Sequence, residues 1–191
     1  MNQDIRNFFQ KKTQPEIISK DYIVYTDGSS INNGQKNSKG GIGIYFENID
    51  IPNIGESYQS KDGKTTNNVC ELGAILRAIK EIINYHLFKK NNDKIVIYTD
   101  SDYSRNCIVN WSNSWQKNGW MRYNKKKKQK ELVKNVDLIK EIKELYDKYN
   151  IIIIHTKAHQ KEPTHLDKSS KEYKEWFGNN EADRLANLGS N

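Results

Sequence analysis

The hydrophobic period of this chain changes abruptly near residue 69, and that change limits what it can fold into. Before it, Tyr22-Ile23-Val24-Tyr25-Thr26 is β-branched and aromatic, and residues 41–46 alternate. Both stretches read as strands, with Asn32-Asn33-Gly34 as a turn between them. A third strand is expected at residues 57–61, completing an antiparallel meander. After the change, Val69, Leu72, Leu76, Ile79 and Ile83 recur at three- and four-residue spacing, the mark of an amphipathic helix. Thr66 or Asn67 can cap it. Beyond it, strands at residues 95–99 and 151–154 are interleaved with helices at residues 102–116, 136–149 and 181–188. This order predicts an α/β fold: a five-stranded mixed sheet, three antiparallel strands then parallel strands, flanked by helices.

The chain has 191 residues, which reads as one domain at residues 21–191 behind a short tail at residues 1–20. Ile151-Ile152-Ile153-Ile154 is too short to cross a membrane, and no apolar run follows the N-terminus as in a secretory leader. Neither a membrane nor an extracellular setting is expected. Cys70 and Cys107 make no disulfide framework and show no metal-ligand spacing. Lys plus Arg number 31 against 24 Asp plus Glu, a net charge of +7. Arg is confined to Arg6, Arg77, Arg105, Arg122 and Arg184, so Lys carries the excess. A Lys-rich surface suits phosphates more than base edges, which makes nucleic acid the first partner to test. Much of the excess lies in Lys11-Lys12 and in a Lys-rich protrusion at residues 124–134. A second polar stretch, residues 160–177, also reads as an insert, with a short helix around Tyr173, Trp176 and Phe177.

Four acidic residues stand at the ends of apolar elements. Asp27 is expected to end the first strand and Asp100 the fourth. Glu71 is expected in the first turns of the long helix, and Asp183 in the first turn of the last one. Singly, each could be a cap or turn residue. Together, strand-end carboxylates converge on one rim of a sheet and repel one another, so they call for a hard cation such as Mg²⁺ or Mn²⁺.

The strings around these residues are specific. Tyr25-Thr26-Asp27-Gly28-Ser29, Thr66-Asn67-Asn68-Val69-Cys70-Glu71-Leu72, Thr99-Asp100-Ser101 and Asn180-Glu181-Ala182-Asp183-Arg184-Leu185-Ala186 resemble, in order, the four signatures of the type 1 ribonuclease H family. The resemblance spans about residues 21–191 and implies a ribonuclease H-like fold. It implies that Asp27, Glu71, Asp100 and Asp183 bind two Mg²⁺ ions, with Mn²⁺ as a substitute. It also implies hydrolysis of the RNA strand of an RNA–DNA hybrid, leaving 5′-phosphate and 3′-hydroxyl ends. His159 matches the family's flexible-loop histidine, which assists the water or product release; His165 competes for that place, and His155 is expected to pack. Asn33, Asn67 and Asn68 match contacts to ribose 2′-hydroxyls. Trp111, Trp115, Thr66 and Asn135 match contacts to the DNA strand, while Trp120 is expected to be structural. The long interval between His159 and Asp183 departs from the family pattern.

Asn2, Ile5, Phe8 and Phe9 resemble a sliding-clamp interaction (PIP) box, with Asn in place of the usual leading Gln. A clamp is therefore an expected partner, tethering the enzyme to its substrate during DNA replication. The expected protein is a monomer in a nucleus or a cytoplasmic replication compartment. The competing reading is a non-catalytic hybrid-binding or clamp-adaptor module; four carboxylates beside a phosphate argue against it.

Overall fold

The computed structural model describes residues 19–60 and 65–191. The tail motif Asn2, Ile5, Phe8 and Phe9 lies outside the described residues.

The expected meander is present. β1 (Asp21–Ile31) pairs antiparallel with β2 (Lys39–Phe46), which pairs antiparallel with β3 (Ile54–Tyr58). The third strand therefore begins before the expected residues 57–61. Register across the sheet sets its place: Ile54 lies opposite Ile44 and Tyr58 opposite Gly40. α1 (Asn67–Asn84) follows and returns the chain to β4 (Lys94–Thr99), which runs parallel to β1. A continuous helical stretch comes next, made of α2 (Asp102–Asn106), a π-turn (Cys107–Trp111) and α3 (Ser112–Lys117). After the hairpin β5 (Met121–Asn124) and β6 (Gln129–Leu132), α4 (Val136–Lys148) leads to β7 (Ile151–His155), parallel to β4. The main sheet has the order β3-β2-β1-β4-β7, the five-stranded mixed sheet that the sequence predicts.

Strand alternation sends Tyr22 and Val24 to one face of the sheet and Tyr25 to the other. The first face carries the main core, where Ile42, Ile44, Ile95, Ile97 and Ile153 meet Leu72, Ile75 and Ile79 of α1 and Ile139 and Ile142 of α4. On the second face Tyr25 stacks on Tyr98, ring centroids 4.8 Å apart, beneath α5 (Lys171–Ser190).

α5 corrects the sequence reading most. The expected helix at residues 181–188 is only its C-terminal part, so Asp183 stands mid-helix and not in a first turn. Ser170 caps the helix, its Oγ accepting from the Tyr173 N–H. Gly178, which looks like a helix breaker, is a packing glycine: a Cβ there would stand 2.4 Å from the Tyr25 ring. The Lys-rich protrusion is likewise ordered as the β5–β6 hairpin. Asn124 Oδ1 accepts from the N–H groups of Lys126 and Lys127, and Arg122 pairs with Glu131 at 2.8 Å across the strands. Among the described residues no helix is long and apolar enough to cross a membrane. Cys70 and Cys107 are buried free thiols, pushed up by burial to about 12 and about 11.

Candidate active site

The carboxylates meet where β1 and β4 part. Their parallel ladder ends at Thr26–Thr99, and Asp27 and Asp100 are the next residues on each strand. The sequence predicts Asp27 at the end of the first strand, but it lies inside β1. β1 continues to Ile31 along β2, with Asp27 opposite Gly43. Asp100 sits in a fixed turn: the Ser101 N–H donates to Thr99 Oγ1, and Ser101 Oγ caps α2 by accepting from the Ser104 N–H.

Glu71 arrives from α1. Thr66 caps that helix, its Oγ1 accepting from the Val69 N–H at 3.3 Å. Gly28 allows the approach, because a Cβ there would stand 2.2 Å from the Glu71 backbone nitrogen. Carboxylate oxygens of Asp27, Glu71 and Asp100 thus lie within 4.8 Å of one another. Asp27 and Glu71 are buried, at 7% and 8% exposure. Asp183 is not in this cluster, but its charge reaches Asp27. Its Oδ1 accepts from Asn187 Nδ2 at 3.1 Å.

The electrostatics match the geometry. Burial, then the charges of Asp100 and Asp183, raise the Asp27 carboxyl to about 7. Burial and the Asp27 and Asp100 charges hold Glu71 well above the ordinary carboxylate range. Among the described residues no Lys, Arg or His forms an ion pair with any of the four carboxylates. Glu71 Oε2 is buried without a hydrogen-bond partner. A buried oxygen left open and three crowded carboxylates with no protein cation fit a divalent metal site.

This arrangement sets a pH dependence. A carboxyl at about 7 in the folded chain, against roughly 4 when unfolded, binds a proton on folding. Its stabilising contribution is full below about pH 4 and is lost as pH rises toward 7. A divalent cation such as Mg²⁺, held at this cluster, would favour the ionised carboxylates, so its effect should have the opposite trend. At tenfold excess over Kd, Mg²⁺ should stabilise by about 1.4 kcal/mol at pH 8, raising Tm by about 4 °C. At pH 5 the shift should nearly vanish. Scanning calorimetry checks this, and equal shifts at both pH values would refute it.

The other expected residues surround this centre. Asn33, Asn67 and Asn68 are exposed and share a rim with α1, where Asn33 Oδ1 accepts from the Asn67 N–H at 3.2 Å. Trp111 is 40% exposed at the end of the π-turn, with its ring 5.5 Å from that of half-buried Trp115. Trp115 and Trp120 both pack against the core, as expected for Trp120; Lys140 lies over the Trp120 ring. Asn135, at φ 56°, precedes α4, and its Nδ2 donates to the Tyr103 hydroxyl at 3.3 Å. His159 is exposed, with φ 48°, and lines a small cleft with Asp183 and Asn179. His165 is also exposed but does not line that cleft.

Sequence reasoning missed two contributors. His155 does not pack: it is exposed, and its Nε2 lies 3.2 Å from the Asp100 carbonyl oxygen, bracing that turn. Its position opposite Thr99 depends on strand register, which the sequence does not display. Asn179 is buried with Oδ1 unpartnered at the cleft beside Asp183. Its place four residues before Asp183, one helical turn away, was the available signal.

A mixed sheet of this order, with carboxylates gathered at the opening between its two central strands, defines the ribonuclease H-like class of folds. The chain belongs to the RNase H family, whose sequence model matches residues 19–191. It is 30% identical over 188 residues to Ribonuclease H of Schizosaccharomyces pombe, covering 98% of this chain and 60% of that protein. The chain therefore spans less than two thirds of that relative. It is 34% identical over 172 residues to Ribonuclease H of Clostridium botulinum, covering 88% of this chain and 94% of the relative. The foamy viral protease-reverse transcriptase, solved in complex with an RNA/DNA hybrid, matches with a TM-score of 0.61 at 26% identity. That match covers 95% of this chain and 21% of the viral one.

Proposed function

We propose that the chain is an endoribonuclease that hydrolyses the RNA strand of RNA–DNA hybrids, leaving 5′-phosphate and 3′-hydroxyl ends. The carrying observation is the Asp27, Glu71 and Asp100 cluster, its oxygens within 4.8 Å, with Asp27 and Glu71 buried and no ion-paired Lys, Arg or His among the described residues. A binding module has no use for such a cluster, which repels the phosphate it would have to admit.

Asp27, Glu71 and Asp100 would hold Mg²⁺, with Asp183 completing the set from α5. Two such ions, when bound, supply an activated water and the charge that stabilises attacking and leaving oxygens. The chain's own side chains supply position. The exposed amides of Asn33, Asn67 and Asn68 both donate and accept, as a ribose 2′-hydroxyl requires. Exposed Trp111 presents an aromatic face to the DNA strand, backed by Trp115. The Thr66 cap uses its oxygen as acceptor and leaves the O–H to donate to a DNA phosphate, with the Asn135 amide as second contact. Lys125, Lys126, Lys127, Lys128 and Lys130 stand exposed on the β5–β6 hairpin and track the duplex backbone. His159, beside Asp183, carries a proton to or from the reacting oxygens. Primer or hybrid removal during replication fits this chemistry, with the Asn2, Ile5, Phe8 and Phe9 tail as a clamp tether.

The test is cleavage of a labelled RNA–DNA hybrid in Mg²⁺, beside matched RNA–RNA and DNA–DNA duplexes. Only the hybrid's RNA strand should be cut. Absence of cleavage, or cutting of the DNA duplex, would overturn the reading.

A further inference from the structure

We infer that Trp176 is a positioning residue for the His159 loop, supplied by the N-terminal extension of α5. The inference rests on the reading of His159 as a proton carrier.

After β7 the chain leaves the sheet, and nothing in residues 156–160 repeats a regular element. His159 occupies the left-handed region at φ 48°, a conformation unfavourable for a non-glycine residue that its surroundings must hold in place. Here α5 enforces it. The Trp176 indole N–H donates to the Gln160 carbonyl oxygen at 2.8 Å. One turn earlier, the Tyr173 hydroxyl donates to the Glu162 carboxylate at 3.0 Å. The two rings pack together with centroids 5.4 Å apart, and Tyr173 is buried. Gln160 Nε2 in turn donates to the Ala158 carbonyl oxygen at 2.8 Å, closing the turn across His159.

These contacts bind Gln160 and Glu162, just after His159, to one helix, and that same helix carries Asp183. Trp176, His159, Gln160 and Asp183 accordingly line one cleft. The extra helical turns that set residues 171–178 apart thus have a defined use: they replace a free loop by one tied to the metal-ligand helix. An indole suits the task because its N–H sits at the end of a flat side chain with only two rotatable bonds. Phe keeps the packing and lacks the donor.

The test measures kcat and KM on the hybrid in Mg²⁺ for the full chain and four variants: Trp176→Phe, Tyr173→Phe, His159→Ala and the double variant Trp176→Phe/His159→Ala. Trp176→Phe should lower kcat about fivefold to tenfold by misplacing the imidazole, with KM within about twofold. Tyr173→Phe should lower it less. His159→Ala should lower kcat by about 10²-fold, and adding Trp176→Phe should cost nothing more. Amide hydrogen exchange at residues 158–161 should quicken in Trp176→Phe, while Tm stays near wild type. Equal losses from Trp176→Phe in both backgrounds would mean a general structural role and overturn the inference. Wild-type kcat in Trp176→Phe with a slow His159→Ala would overturn it and leave the histidine reading standing. Wild-type kcat in His159→Ala would defeat the histidine reading and this inference together.

Discussion

Asp27→Asn should abolish hybrid cleavage while making the metal-free protein more stable at neutral pH. Asp27 touches the whole site. It is buried beside Glu71 and Asp100 and feels the charge of Asp183. Asn matches its volume and can donate to the open Glu71 Oε2, so the fold should persist. The proposed metal site, however, would lose one of its three clustered carboxylates. A fall of about 10³-fold or more is expected in a reaction that depends on this charge. Stability should move the other way. A carboxyl raised to about 7 by burial and like charges strains the metal-free fold above that pH, and a neutral amide removes the strain. A gain of about 2 kcal/mol at pH 8 without Mg²⁺ is expected, or about 5 °C in Tm. Cleavage within tenfold of wild type, or a lower Tm, would contradict the assignment. The opposed signs separate a site residue from a core residue, whose loss lowers both quantities.

Gly43→Ala should lower Tm by about 10 °C, far more than Gly119→Ala. A Cβ at Gly43 would stand 1.9 Å from the Ala182 carbonyl oxygen and 2.4 Å from the Ala186 nitrogen. Both are backbone atoms of α5, so no side chain can rotate aside. Relief requires lifting the helix, which also pulls its Ala182 away from Tyr25 and Tyr98 on the sheet. Overpacking of this severity costs about 3 kcal/mol or more, at 2–4 °C per kcal/mol for a chain of roughly this size. Asp183 neighbours Ala182, so activity should fall with stability. Gly119 is the control: nothing lies within 4 Å of a Cβ there, and its φ of +64° is the only obstacle. That conformation costs about 1 kcal/mol. Equal thermal shifts from the two substitutions, measured by circular dichroism, would show that α5 does not press on β2. Gly28→Ala should act as Gly43→Ala does, by pushing Glu71 away from Asp27.

Local pattern made much of the fold legible. The β-branched and aromatic run at residues 22–26, the alternation of residues 41–46, the helical spacing from Val69 to Ile83 and the four-isoleucine run each specify an element within its own window. The candidate ligands were legible because each sits in a short, specific string, although the element ends expected around Asp27 and Asp183 proved wrong. The β5–β6 hairpin was not, because its strands are mostly exposed and polar. With no face to bury, they show no alternation, and an Asn124 turn and a cross-strand ion pair hold them instead.

The sequence by itself determined the order of the five main-sheet strands and the helices between them, the change of period that divides meander from helices, and the identity of the acidic residues. Those properties depend on contacts within one or two turns of chain. Only the tertiary structure decided that Asp27 lies inside a strand, that Asp183 lies mid-helix and that Gly178 continues α5 where its residue type suggests a break. The reason is the same in each case. Where β1 and β4 part, and how closely α5 presses on Tyr25 and Gly43, are set by atoms far apart in the sequence. A glycine reads as a breaker or as a packing surface only once its neighbour across the sheet is known.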